Sequence, residues 1–358
     1  MISKSLVVFW WIVLRALTGA EGSEFGTPEV EFWYGENQSF GHLGNPQRQI
    51  NLLGSIKAEA LETLEAGFFL NEEGEARMLT LGGDLHRLAN VGDFNLELDR
   101  ALLREGVNRV RVFVEGPGGV VAERILEFTY TAGKSWPLPY EIQWENVSSI
   151  GDVVEVVDGR WELTEEGLRS MDPYYDRILC FGDESWTNYE VRTSVKFHGY
   201  RKPEEGPPTF DVIHVAIATR WPGHDVDELQ PNRKWYPLGA TSEFRFKEGY
   251  RGARWRVFDG AQFYAEQSQE GYRVIEPETW YCMAHRVESL EDGSTLFSVK
   301  LWDANEEEPE HWDFRAIKPI SGIQSGSTCI LAHHTDVTFG DVLVLPVEAL
   351  GLPGAESR

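Results

Sequence analysis

The chain has 358 residues, with a hydrophobic fraction of 42%, a charged fraction of 25%, and 58 Asp+Glu against 33 Lys+Arg. The length suits two domains, and the composition excludes wholesale disorder and collagen-like repeats. A formal net charge of −25 excludes nucleic acid and anionic membrane as partners recognised through the overall field.

Residues 1–20 begin with Lys4 in a short basic region, then an unbroken apolar run from Leu6 to Leu14, then small residues at Thr18-Gly19-Ala20. The run is well short of the ~20 residues that a spanning helix needs. This is the anatomy of a signal peptide. The expectation is a secreted, cell-surface or periplasmic protein with no membrane insertion once the peptide is removed. Removal takes Lys4 and Arg15 and leaves the mature chain still more acidic.

From Pro28 to Thr131 the chain alternates apolar and polar residues with period two. Phe94, Leu96 and Leu98 interleave with Asp93, Asn95 and Glu97. Val110, Val112 and Val114 interleave with Arg109, Arg111 and Phe113. Such alternation marks strands with one buried face. Asn71 to Gly74 and Gly116 to Gly119 are turn punctuation. Residues 28–131 are therefore expected to form an immunoglobulin- or fibronectin-like β-sandwich. No Cys…Trp…Cys pattern marks it as an antibody-type domain.

Residues 132–140 hold Gly133, Pro137 and Pro139 and read as a linker. Residues 141–346 are again strand-rich, with Tyr189, Val191, Thr193, Val195 and Phe197 on one period-two set and Ile213, Val215 and Ile217 on another. This is the size of one large sandwich or jelly roll. Residues 347–358 read as a tail. The fold class expected is all-β, a smaller sandwich followed by a larger one. Cys180, Cys282 and Cys329 are far apart, without metal-ligand spacing, in apolar strand contexts. They read as buried thiols, with one disulfide plus a spare thiol as the alternative in an oxidising compartment.

Four stretches of the second segment resemble laminin-G-like, concanavalin-type jelly rolls. They are Val157 to Leu163 (VDGRWEL), Trp186 to Val191 (WTNYEV), Lys300-Leu301-Trp302 with Glu308 to Trp312 (EPEHW), and Val337 to Val344 (VTFGDVLV). The resemblance spans about 200 residues and rests on turn and core signatures. It implies a jelly roll. The family holds glycan-binding modules, polysaccharide hydrolases and lyases, and adhesion domains, so it leaves the activity open.

The strand Asp211 to Arg220 places Ile213, Val215 and Ile217 on one face and His214, Ala216, Ala218 and Arg220 on the other. The two alanines leave room either for a ligand groove or for a crossing loop with His214 hydrogen-bonded beneath it. Arg192, Lys196, Glu243, Arg245 and Arg256 sit on the polar faces of other strands. If these faces line one sheet, an acidic protein holds a basic groove suited to carboxylate or sulfate. The alternative is a solvated face of mixed charge. The loop from Trp221 through His224 to Trp235 resembles a sugar-contacting loop, since aromatic rings stack on pyranose faces. Its alternative is loop packing. In His333-His334 adjacent side chains point to opposite faces of a strand, so one of the pair, with His334 the candidate, reaches the groove.

The expected ligand-binding set is thus Arg192, Lys196, His214, Arg220, Trp221, His224, Trp235, Arg245 and His334. No cofactor is required. Structural Ca2+ would suit the loop carboxylates Asp225, Asp227 and Glu228, although calcium-loop spacing is absent. The partner expected is an extracellular polysaccharide or glycan, anionic if the basic face lines the groove, and the chain is expected to be a monomer. The alternative is a polysaccharide lyase or glycoside hydrolase with His214, Arg220, His224, Glu243 and Arg245 as candidate catalytic groups. Glu-x-Asp-x-x-Glu, Gly-x-Ser-x-Gly and His-Glu-x-x-His are absent, and Glu243-Phe244-Arg245 only faintly echoes the Arg-x-Glu-x-Arg of alginate-lyase-type jelly rolls.

Overall fold

The computed structural model describes residues 26–84, 86–201, 213–227, 229–233, 238–320 and 322–350. The proposed signal peptide, Glu228, Trp235 and most of the proposed tail lie outside the described residues. Among the described residues no helix is long and apolar enough to cross a membrane.

The first part of the chain holds β1 (Glu29–Phe32), β2 (Gln38–Phe40), β3 (Gln49–Lys57), β4 (Glu65–Leu70), β5 (Glu73–Met78), β6 (Asp93–Asp99), β7 (Gly106–Gly116) and β8 (Gly119–Tyr130). They form a three-stranded sheet in the order β1-β3-β6 and a five-stranded sheet in the order β2-β8-β7-β4-β5. The alternation seen in the sequence packs this sandwich. Phe94, Leu96 and Leu98 meet Val110, Val112 and Val114 in one core.

The second part holds β9 (Tyr140–Ile142), β10 (Glu155–Asp158), β11 (Trp161–Thr164), β12 (Gly167–Ser170), β13 (Arg177–Phe181), β14 (Tyr189–Tyr200), β15 (Ile213–Trp221), β16 (Ala240–Lys247), β17 (Arg251–Phe258), β18 (Tyr264–Glu266), β19 (Trp280–Ser289), β20 (Thr295–Asp303), β21 (Phe314–Lys318), β22 (Ser327–His333) and β23 (Thr335–Pro346). A seven-stranded sheet runs β10-β13-β22-β15-β16-β17-β18, and an eight-stranded sheet runs β11-β12-β23-β14-β19-β20-β21. Val191, Val195 and Phe197 from the second face Ile213, Val215, Phe244 and Phe246 from the first across a common core. The chain is all-β, two sandwiches in series. The connection through residues 132–139 carries no strand but is anchored. Trp136 is buried in the larger core, and its backbone N–H donates to Asp183 Oδ2 at 3.0 Å.

The polar side of β6 is buried too, which alternation alone does not anticipate. Asp93, Asn95 and Glu97 face the larger sandwich. Arg87, preceding β6, donates from Nε to both carboxylate oxygens of Asp158 at 2.8 Å and from Nη1 to Glu97 Oε1 at 2.7 Å. Asn95 Nδ2 donates to the Val157 carbonyl at 2.8 Å. The backbone N–H and side-chain amide of Asn232 both donate to Glu97 Oε2 at 2.7 Å. Burial pushes the Asp158 carboxyl up to about 7, with Arg87 opposing that shift. Removing one partner of such a network leaves the other charges buried and unpaired, so Arg87→Ala should cost about 3–5 kcal/mol. Urea unfolding of the full chain checks this.

Glu155 on β10 is also buried, and its Oε2 has no partner among the described residues. Burial is the main reason its carboxyl is pushed up to about 8. An acid with a raised folded-state pKa contributes stability that is full below its unfolded value and lost as pH rises through the folded one. Glu155→Gln should therefore melt close to wild type at about pH 4 and clearly above it at about pH 9. Thermal melts across that range test the sign.

Candidate functional site

On β15 the side chains sort as the alternation requires, with Ile213, Val215 and Ile217 in the core and His214, Ala216 and Ala218 on the outer face. His214 lies directly opposite His333 of β22 on one side and Arg245 of β16 on the other. The next row places Ala216 opposite Glu243, and Glu243 opposite Arg256. Directly opposed residues share a face and touch. The His214 and His333 rings are stacked with centroids 4.5 Å apart and planes 9° from parallel. Asp176, just before β13, places Oδ1 2.6 Å from His333 Nδ1. The Tyr175 ring stands edge-on to His333 at 4.7 Å.

These groups line a cavity of about 260 Å³ that also reaches Glu243, Arg245, Arg256 and Phe258. Glu243 Oε2 accepts from Arg256 Nε at 2.8 Å and lies 3.5 Å from Arg245 Nε. Two arginines, Arg245 and Arg256, are matched by two carboxylates, Glu243 and Asp176, so the cavity is densely polar rather than strongly basic. A larger hollow of about 590 Å³ lies beside Lys57, Asn90 and Arg160. It gathers no comparable cluster of buried donors.

Several expected site residues lie elsewhere. The pairing of β15 with β22 shifts register between Thr219 and Trp221, and Arg220 takes φ 51°. This bulge turns Arg220 off the His214 face. Its guanidinium is fully buried and donates to the Thr187 carbonyl at 3.0 Å, Thr295 Oγ1 at 3.0 Å and Ser289 Oγ at 2.8 Å. Trp221 is fully buried with Ala216, Ala218, Cys180, Cys329 and Leu238. The room above the two alanines is thus filled by packing. His224 stands edge-on to Trp221 at 5.6 Å, with Nδ1 3.4 Å from Glu97 Oε1, and burial holds its pKa well below the ordinary value. It belongs to the contact between the sandwiches.

Arg192 and Lys196 are on β14, in the other sheet. Arg192 pairs with Glu190 at 2.6 Å and Glu308 at 2.7 Å, and Lys196 pairs with Glu166 and lies over the Trp280 ring. The basic strand faces are therefore divided between two sheets. His333, rather than His334, joins His214. His334 has φ 54° and packs edge-on to His333, and burial first, then His333, pushes its pKa down to about 3. Asp227 accepts the backbone N–H groups of Leu229 and Arg233 and so braces its own loop. Asp176, Tyr175 and Phe258 were not legible as site residues. The cluster Tyr174-Tyr175-Asp176 ahead of a strand was the available signal.

No family model matches the chain, and no curated protein matches it. Among solved structures, the Ca2+-bound exoplasmic/lumenal domain of VIP36 is similar at 13% identity, over 60% of this chain and 91% of that one, with a TM-score of 0.35. A conserved carbohydrate esterase from Shiga toxin-encoding bacteriophage phi24B is similar at 10% identity, over 57% and 95%, with a TM-score of 0.29. A Bacteroides ovatus SGBP-B in complex with a mixed-linkage heptasaccharide is similar at 10% identity, over 89% and 100%, with a TM-score of 0.20. At these scores the fold stands on its own sheets rather than on the likenesses.

Trp221→Ala should act on stability, lowering it by about 3–5 kcal/mol as a buried large-to-small change. Denaturant titration checks the value, and a neutral result would mean that Trp221 is not a packing residue.

Proposed function

We propose that the chain is an extracellular carbohydrate-binding protein whose cavity on the outer face of the seven-stranded sheet takes one sugar residue of an anionic glycan. The observation that supports this is the row His333–His214–Arg245 in a cavity that the rings of Tyr175 and Phe258 also line. Aromatic edges with a few convergent polar groups are what a sugar requires. The volume of about 260 Å³ falls just below the ~300 Å³ of pockets for drug-sized ligands, which favours a single unit over an oligosaccharide. Arg245 and Arg256 are the groups suited to a uronate or sulfate. Residues 141–346 carry the site in this reading, residues 28–131 brace it, and 132–140 join them. Removal of residues 1–20 on export gives a secreted monomer.

The Asp176–His333 contact favours a second reading, a polysaccharide lyase. In this reading Nδ1 of His333 donates to Asp176 Oδ1 and Nε2 is left as the base, as in carboxylate-oriented histidines. Arg245 takes the place expected for Arg220. His333 would remove the proton beside the uronate carboxylate as the glycosidic oxygen leaves, forming a carbon–carbon double bond.

A panel of neutral and anionic polysaccharides separates the readings. Binding of an anionic glycan should weaken with salt, and Arg245→Ala should lower affinity about tenfold or more (~1.4 kcal/mol) at nearly unchanged Tm. Equal binding of neutral glycans, or no salt effect, removes the anionic assignment. Growth of unsaturated-uronate absorbance, lost in His333→Ala, establishes the lyase.

A further inference from the structure

We propose that Asp176, His214 and His333 form a binding site for one divalent transition-metal ion of the Zn2+, Co2+ or Ni2+ class. The three come from separate segments that the sheet makes neighbours: the residue before β13, the start of β15 and the end of β22. One ligand atom from each lies within 4.8 Å of the others, and all three residues are buried. Two imidazoles and one carboxylate are a borderline donor set that suits these ions. Ca2+ takes ~6–8 oxygen ligands, and Asp176 is the single carboxylate of the set, so the site does not serve the calcium expected from the loops.

Metal–ligand bonds of ~2.0–2.2 Å at a tetrahedral ion place donors about 3.3–3.6 Å apart. The 2.6 Å contact between Asp176 and His333 therefore opens slightly, and the stacked rings turn their nitrogens inward. The ion takes the place of the hydrogen bond between Asp176 and His333, and an imidazole that binds a metal through one nitrogen carries its proton on the other. Backbone strain sits at the same place. Asp176 has φ 30° and His334, next to the third donor, has φ 54°. Non-glycine residues hold such conformations mainly where the surrounding structure fixes them for a task. Three protein ligands beside an open cavity leave a coordination position for a water or an incoming oxygen. The inference stands whether or not that cavity takes a sugar.

The test uses the full chain, stripped with EDTA and titrated with Co2+. One equivalent should bind and give a visible d–d band, which equimolar Zn2+ removes and millimolar Ca2+ does not. His214→Ala and His333→Ala should each weaken Zn2+ binding by more than about a hundredfold, beyond the loss typical of outer-shell partners. His311→Ala, an exposed histidine near the other sheet, should leave it unchanged. Circular dichroism confirms that each variant folds, and His214→Gln decides the matter if His333→Ala does not. A folded wild type without stoichiometric Co2+ binding, or equal binding by the folded His214 variant, overturns the proposal.

Discussion

The buried Arg87 guanidinium is the contact on which the rest of the arrangement depends. It belongs to the smaller sandwich by sequence, between β5 and β6, yet it pairs with Asp158 in the larger one. Glu97 on β6 receives both Arg87 and Asn232, so three segments meet at one charge cluster. In such a place unpaired charge is prohibitive, and the network holds only if every member is present. It therefore specifies a single way for the two sandwiches to dock, whatever its net contribution to stability. The polar stripe on β6 follows from this role. Its residues are polar because they face another sandwich across hydrogen bonds, and buried for the same reason.

A one-residue bulge decides what the outer face of the seven-stranded sheet becomes. Strict alternation puts Arg220 with His214. The register shift between Thr219 and Trp221 instead gives that face a tryptophan and sends the arginine to the far end of the sandwich. There Arg220 ties β15 to Ser289 on β19 and Thr295 on β20 of the opposing sheet. The face is consequently apolar around Ala216, Ala218, Cys180 and Cys329, and polar at His214 and along Glu243, Arg245 and Arg256. Cys180 and Cys329 are direct cross-strand partners within the apolar part, while Cys282 lies on the other sheet. Beside it Glu97 of the smaller sandwich meets His224, while the cavity opens from the stacked His214 and His333 toward Glu243 and Phe258.

Sequence pattern carried the strands well and the site partly. Period two identified the core sets Phe94/Leu96/Leu98 and Ile213/Val215/Ile217, because burial of one face is a local rule repeated along the strand. It also placed His214 and Arg245 on polar faces. What it could not carry was which strands are neighbours. Arg192 and Arg245 look alike along the chain, and only the sheet order separates them into different surfaces. Asp176 escaped because its loop has no period, and its role arises from a partner more than 150 positions away. Arg220 was misplaced because a bulge breaks the very periodicity that predicted it.

The docking of the sandwiches also reaches the cavity itself. Arg177 Nη2 donates to the Arg87 carbonyl at 2.8 Å and to the Tyr175 carbonyl at 2.7 Å. The loop that carries Tyr175 and Asp176 is therefore held from the smaller sandwich, and the exposed His86 ring packs edge-on to Tyr175 at 5.6 Å. A loop residue held at φ 30° needs such support, since the conformation is unfavourable alone. The stacked histidines are fixed by the sheet, and the loop that brings the carboxylate is held from two sides, by its own sandwich through the Asp176 N–H on His333 Nδ1 at 3.3 Å and the His334 N–H on the Tyr174 carbonyl at 2.8 Å, and by the smaller sandwich through Arg87. The smaller sandwich therefore helps to hold the loop that carries Tyr175 and Asp176.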